Sequence, residues 1–233
     1  MTSVDKMTNV KINHAFAGIV IIAQSFNPSI FSETWLSKNF VVEPEHLMGT
    51  RFFAPEAARF QIDDKDTIVE ITPERLQILF KILGASANFD TQLNIPIQIV
   101  EALPHTPYQS MGINFDYFIE LSNGQDFLKY NRSLLGTGEY KLLNEFAVPD
   151  ARFGRYFSKD YRNARLKLSI IPVTKPGKGS ENSLDLVQFS FNYHFEVSSI
   201  DVEERSKKLC EYMRDWSSLK SYSEALVDLG ANL

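Results

Sequence analysis

A chain of 233 residues with 44% hydrophobic and 12% aromatic side chains has the apolar material for one sizeable core, or for two small halves sharing one. Its charged fraction of 23% and net charge of -5 exclude a chain-wide polyanion binder and leave room only for a local basic patch. Cys210 is the only cysteine, which excludes an intrachain disulfide and a thiolate zinc site and fits a reducing, cytoplasmic setting.

In chain order, the first apolar run is Ala15 to Ala23, which resembles a signal-peptide core in outline, with Lys6 and Lys11 before it. Its Ala and Gly content makes it weakly apolar, and Asp5 stands in the would-be basic region. The run is also far shorter than the roughly 20 residues of a spanning helix, so a buried strand and no membrane segment are expected. Asn27-Pro28 then offers an N-cap and a first-turn proline, and Ile30, Phe31, Thr34 and Trp35 share one helical face, predicting a helix over 28–38.

Arg51 to Phe53, Ala58 to Ile62 and Thr67 to Ile71 read as strands of a meander, with Asp63-Asp64-Lys65-Asp66 as a turn. Residues 72–83 carry two patterns. Thr72-Pro73 with Leu76, Leu79, Phe80 and Leu83 describes a capped helix ending at Gly84, while Leu76, Ile78, Phe80 and Ile82 alternate like a strand; the helix is the expectation. Pro96, Pro104 and Pro107 mark residues 85–109 as a connection.

Beyond it, Ile113, Phe115, Tyr117, Ile119 and Leu121 alternate with Asn114, Asp116, Phe118 and Glu120 in a strand, followed by Asn123-Gly124 and a short helix from Gln125 to Leu134. Ala164, Leu166, Leu168 and Ile170 begin a hairpin with Lys175-Pro176-Gly177-Lys178-Gly179 as its loop. On the return strand Val187, Phe189, Phe191, Tyr193, Phe195 and Val197 face one way, and Gln188, Ser190, Asn192, His194 and Glu196 the other. The two segments should pair antiparallel with Phe189, Phe191 and Phe195 buried.

Two capping boxes close the chain. Asp201 with Glu204 opens a helix carrying Val202, Leu209, Tyr212, Met213 and Trp216 that packs on the sheet. Ser221 with Glu224 opens another, stopped by Gly230. The fold class is therefore α+β, mostly antiparallel sheet with packed helices, as a single domain over 1–233. Gly18-Ile19 and Gly112-Ile113 each open a strand that runs into a helix, at Asn27 and at Asn123. This predicts two similar strand-helix-meander halves, 10–84 and 110–233, with the two long strands beside a pseudo-twofold axis.

The chemistry-bearing patterns are few. His194 and Glu196 lie on one side of their strand, a pairing suited to acid-base work or to a metal with a third ligand, but the zinc deaminase pattern containing H-x-E needs a downstream P-C-x-x-C that is missing. An antiparallel sheet commonly has one solvated face, and that is the preferred reading of the pair. Asp126 with Glu139-Tyr140-Lys141 imitates a metal-dependent nuclease spacing, although Asp126 sits at a helix start. Gly136-Thr137-Gly138 and Gly177-Lys178-Gly179-Ser180 complete no phosphate-loop spacing. His14, His46 and His105 are isolated and read as surface or capping residues. No metal site and no cofactor is expected.

From Arg152 to Lys167 six cations, Arg152, Arg155, Lys159, Arg162, Arg165 and Lys167, face the single acid Asp160 and alternate with Phe153, Tyr156, Phe157 and Tyr161, a mixture able to meet phosphates and stack on bases. The competing reading pairs these cations with acids elsewhere, Asp63, Asp64 and Asp66 among them.

The two-half organisation, the Met111-Gly112-Ile113-Asn114-Phe115-Asp116-Tyr117 strand and the closing helices resemble a sporadically distributed family of uncharacterised bacterial proteins that travel with mobile or defence-associated genes. Asn114 stands where that family shows the arginine of a Gly-Leu-Arg-Tyr-x-Asn run, and no catalytic residue carries over. The expectation is a non-enzymatic interaction or assembly protein, with an unknown protein partner or a second copy of itself. The alternative is a nucleic-acid-binding or nucleic-acid-processing factor using residues 152–167, with Arg152, Arg155, Lys159 and Arg162 as the contacts.

Overall fold

The computed structural model describes residues 10–39, 41–62, 67–81, 93–121, 124–136, 141–176 and 183–231. Nine strands form one antiparallel sheet: β1 (Val10–Ala23), β2 (Leu47–Phe53), β3 (Ala58–Ile62), β4 (Thr67–Ile71), β5 (Arg75–Lys81), β6 (Tyr108–Leu121), β7 (Arg155–Tyr161), β8 (Ala164–Lys175) and β9 (Leu184–Glu196). Their order is β2-β3-β4-β5-β1-β6-β9-β8-β7. The described helices are α1 (Glu33–Lys38), α2 (Asn94–Ala102), α3 (Gly124–Leu135), α4 (Lys141–Glu145), α5 (Val202–Arg214) and α6 (Trp216–Ala231).

The α+β class and the alternating hairpin are as the sequence predicts. β8 and β9 pair antiparallel with Leu166 opposite Tyr193 and Leu168 opposite Phe191. Phe189, Phe191 and Phe195 are all buried.

The long strands β1 and β6 lie side by side at the centre, and Ile19 stands directly opposite Ile113. Each is flanked on its outer edge by the last strand of the meander that follows it, β5 beside β1 and β9 beside β6.

Residues 72–83 correct the expectation of a helix. The described part is strand β5, seated between β4 and β1, with Leu76, Ile78 and Phe80 fully buried on one face. Thr72-Pro73 forms a tight turn instead of a cap: Thr72 and Arg75 exchange backbone hydrogen bonds at 2.8 and 3.3 Å around Pro73-Glu74. Proline's fixed φ serves the second position of such a turn as well as a first helical turn, and pairing on both edges decides between them. The expected stop at Gly84 lies outside the described residues.

Other boundaries shift for local reasons. Residues 28–38 divide into a 3-10 turn, Pro28–Ile30, capped by the Asn27 side chain, and α1, capped by the Ser32 side chain. Within the 85–109 connection, α2 packs against α5. The two C-terminal capping boxes do not form: Asp201 makes no side-chain cap bond, and Ser221 lies inside α6. The break falls at Asp215, so Trp216 opens α6. Val202, expected in the core, is exposed, whereas Leu209, Met213 and Trp216 are buried.

The helices cover one face of the sheet. Trp216 meets Phe80 and Phe115 edge-on, with ring centroids at 5.5 and 4.7 Å, and Tyr212 stacks on Phe195 at 4.4 Å. Tyr130 donates its hydroxyl to the Gly230 carbonyl at 2.7 Å, joining α3 to the end of α6. The other face carries the alternate residues of every strand and, among the described residues, has no helix on it. No described helix is long and apolar enough to cross a membrane.

Candidate functional site

On the uncovered face, residues that are neighbours only through strand pairing form polar and apolar rows. Gly18, Asn114, Asn192 and Lys167 make one row across β1, β6, β9 and β8, while Val20, Gly112, His194 and Arg165 make the next. Gly18 and Gly112 leave a floor without side chains. A Cβ on Gly18 would stand 2.8 Å from the Ile78 carbonyl oxygen, and one on Gly112 would stand 2.8 Å from the Asn192 amide nitrogen. Asn192 donates to Asn114 across this floor at 2.7 Å.

The floor opens into a trough of about 340 Å3. Phe16, Val20, Gln77 and Leu79 wall one side, and Tyr156, Lys167, Ser169 and Ser190 the other. Apolar surface is concentrated here: Phe16, Val20 and Leu79 are only half-buried, Ile171 on the same face is 40% exposed and Tyr156 63%. Lys175 Nζ sits 3.2 Å above the Phe118 ring.

His194 and Glu196 do lie on this face, His194 directly opposite Gly112, with His194 Nε2 3.7 Å from a Glu196 carboxylate oxygen. Hydrogen bonding from Ser198 holds the Glu196 carboxyl below its ordinary range, and burial opposes the shift. No third metal-ligating side chain joins the pair among the described residues. Cys210 is buried, and burial pushes its thiol up to about 11. The nuclease-like spacing of Asp126 with Glu139 and Lys141, the Gly136-Thr137-Gly138 run and the Gly177-Lys178-Gly179-Ser180 run rest on residues whose placement or side chains lie outside the described ones.

The basic stretch is not gathered into one patch. Register puts Arg165 and Lys167 on the uncovered face, but Arg155 and Lys159, opposite buried Ile170 and Leu166, on the helix side. Arg152 makes a two-pronged pair with Asp185, both contacts at 2.9 Å, and lies over the Phe127 ring. Arg162, in the hairpin turn at a left-handed φ of 52°, pairs with Asp215 at 2.7 Å and so straps that turn to the α5/α6 joint. Arg165 pairs with Asp160, and Arg155 donates to the Leu135 carbonyl at the end of α3. Lys159 donates to the Tyr222 hydroxyl at 2.5 Å. The acids that meet these cations are Asp160, Asp185 and Asp215, whereas Asp63, Asp64 and Asp66 lie outside the described residues.

Sequence reading missed three features. The trough is invisible because its rows cross four strands. The stacked Tyr161–Tyr222 pair, 4.0 Å between centroids, joins an edge strand to α6. The third is His14, expected at the surface, which stacks on Tyr117 at 4.3 Å beneath α6.

Fold and site together define an α+β protein whose large antiparallel sheet is covered by helices on one face and presents a glycine-floored, partly apolar trough on the other. No protein-family model matches the chain, and no curated protein or solved structure is detectably similar to it.

Proposed function

We propose that the protein is a non-enzymatic interaction or assembly component of a bacterial cytosolic system, of the kind that accompanies mobile or defence-associated genes. It would engage a partner protein, or a second copy of itself, through the uncovered sheet face. The observation that carries this reading is the trough and its surroundings: half-buried Phe16, Val20 and Leu79 with exposed Tyr156 beside the Gly18 floor, and exposed Ile171 on the same face. Solvated sheet faces ordinarily place polar residues outward, and a cluster of apolar ones rimmed by polar groups marks a contact surface. The bound groups of Arg152, Arg162 and Arg165 favour it over nucleic-acid binding, because a cation already satisfied by a carboxylate offers a phosphate little.

The test is a photo-crosslinking amino acid in place of Tyr156 in host cells, with a control at Leu229, which is 70% exposed on α6. Crosslinking at 156 to one partner chain, lost in Ile171→Asp while the melting temperature is kept, is the expected result. Equal, diffuse crosslinking at both positions would sink the reading. So would a salt-sensitive gel shift with DNA or RNA that Arg155→Glu with Lys159→Glu abolishes.

We also propose that halves 10–84 and 110–233 descend from one duplicated strand-helix-meander unit. Ile19 and Ile113 are equivalent in the two halves and face one another, as a twofold axis between antiparallel strands requires.

A further inference from the structure

On the helix side, under the edge strand β7, a groove of about 310 Å3 is bounded by Phe157, Leu168, Ile170 and Phe189 with Leu226 and Gly230 of α6. It has a direction. Tyr222, Leu226 and Gly230 succeed one another every four residues along α6, so they lie on one face of that helix. Leu166, Leu168 and Ile170 run beside them as a floor roughly 13 Å long at ordinary strand rise. Lys159 stands opposite Leu166 at the Tyr222 end, with its amine on the Tyr222 hydroxyl and over the Tyr222 and Tyr161 rings. Among the described residues no carboxylate lies within ion-pair distance of Lys159.

We propose that this groove binds an unbranched acyl chain whose anionic head group sits on Lys159 and the Tyr222 hydroxyl. Two observations select this occupant. Besides Lys159 at one end, Gly230 and Ser158, whose hydroxyl is taken up by the Leu166 carbonyl, the walls are side chains of Leu, Ile and Phe, so a peptide backbone laid inside would bury amides without partners, whereas an acyl chain has no polar group along its length. The polar groups stand at one end, which suits a ligand with a charge at one terminus. The groove lies on the opposite side of the sheet from the trough, so it stands or falls independently of the partner-binding reading.

The experiment is titration calorimetry of the whole protein, delipidated beforehand, with dodecanoate, dodecanol and dodecyltrimethylammonium, all below their aggregation thresholds. Dodecanoate should bind one to one and raise the melting temperature. Dodecyltrimethylammonium should bind at least about tenfold more weakly, the factor expected for losing one charge-assisted hydrogen bond. Lys159→Gln, at an exposed position, should weaken dodecanoate by a similar factor and leave dodecanol unchanged. Leu226→Trp, at a half-buried position, should block all three. The proposal is overturned if dodecanoate does not bind, if the three head groups bind alike, if Lys159→Gln changes nothing, or if Leu226→Trp, still folded, binds as the native protein does.

Discussion

His14 shows what one inserted residue does to a side chain's fate. His14 pairs with Tyr117 and Phe16 with Asp116, so Ala15 is an extra residue in β1, and the alternation of faces changes phase there. His14 is thereby turned under α6, while Phe16 opens into the trough. Burial, reinforced by the charge of Lys220, pushes its imidazole down to about 4 from an ordinary 6.5. The unfolded chain takes up this proton near pH 6.5 and the folded chain only near 4. Stability is therefore complete above the unfolded value and is lost as pH falls through that window. The loss should be about 2 kcal/mol after allowing for the ring's partial exposure. Urea midpoints at pH 7 and pH 4 should show it in the native protein and not in His14→Phe, and equal pH slopes would refute it. Nothing in the spacing of isolated histidines signals this environment, because a bulge is settled by pairing with β6 rather than by the residues of β1.

At the scale of elements, α6 is fixed at both ends by contacts with different parts of the sheet. Trp216 is buried between Phe80 of β5 and Phe115 of β6, so it touches both halves. At the other end, Gly230 lies so close to Phe189 that an added Cβ would fall 2.6 Å from its ring. Trp216→Ala should cost about 3–5 kcal/mol through the cavity it leaves. Gly230→Ala should cost about 1–3 kcal/mol by forcing the added Cβ against the Phe189 ring. Both are read from denaturant midpoints, and a Trp216→Ala protein that melts like the parent would mean that the helix is an appendage. The burial of Leu209, Met213 and Trp216 was legible from their periodicity. The joint at Asp215 was not, because the cap signals at Asp201 and Ser221 are local statistics, while the break is held by Arg162, 53 residues earlier in the chain.

At the scale of the whole molecule, the sheet order makes β1 and β6 the most protected strands, with β2 and β7 at open edges. Amide exchange should accordingly be slowest in the middle of β1, β6 and β9 and fastest in β7, whose outward amides have no described strand beside them. Slow exchange along β7 would show its edge to be covered in solution. Period-two alternation in β6, β8 and β9 is a local property, written in residues two apart, so the sequence by itself determined those strands, their buried faces and the α+β class. Composition likewise determined that there would be material for one large core. The tertiary structure alone decided which meander lies beside which central strand, whether Leu76 to Phe80 extend or coil, and which acid meets Arg152 or Arg162. It also decided which side of the sheet stays open. Each of these depends on groups tens of residues apart, and the free energy of pairing two edges or burying one face outweighs local preferences that were nearly balanced.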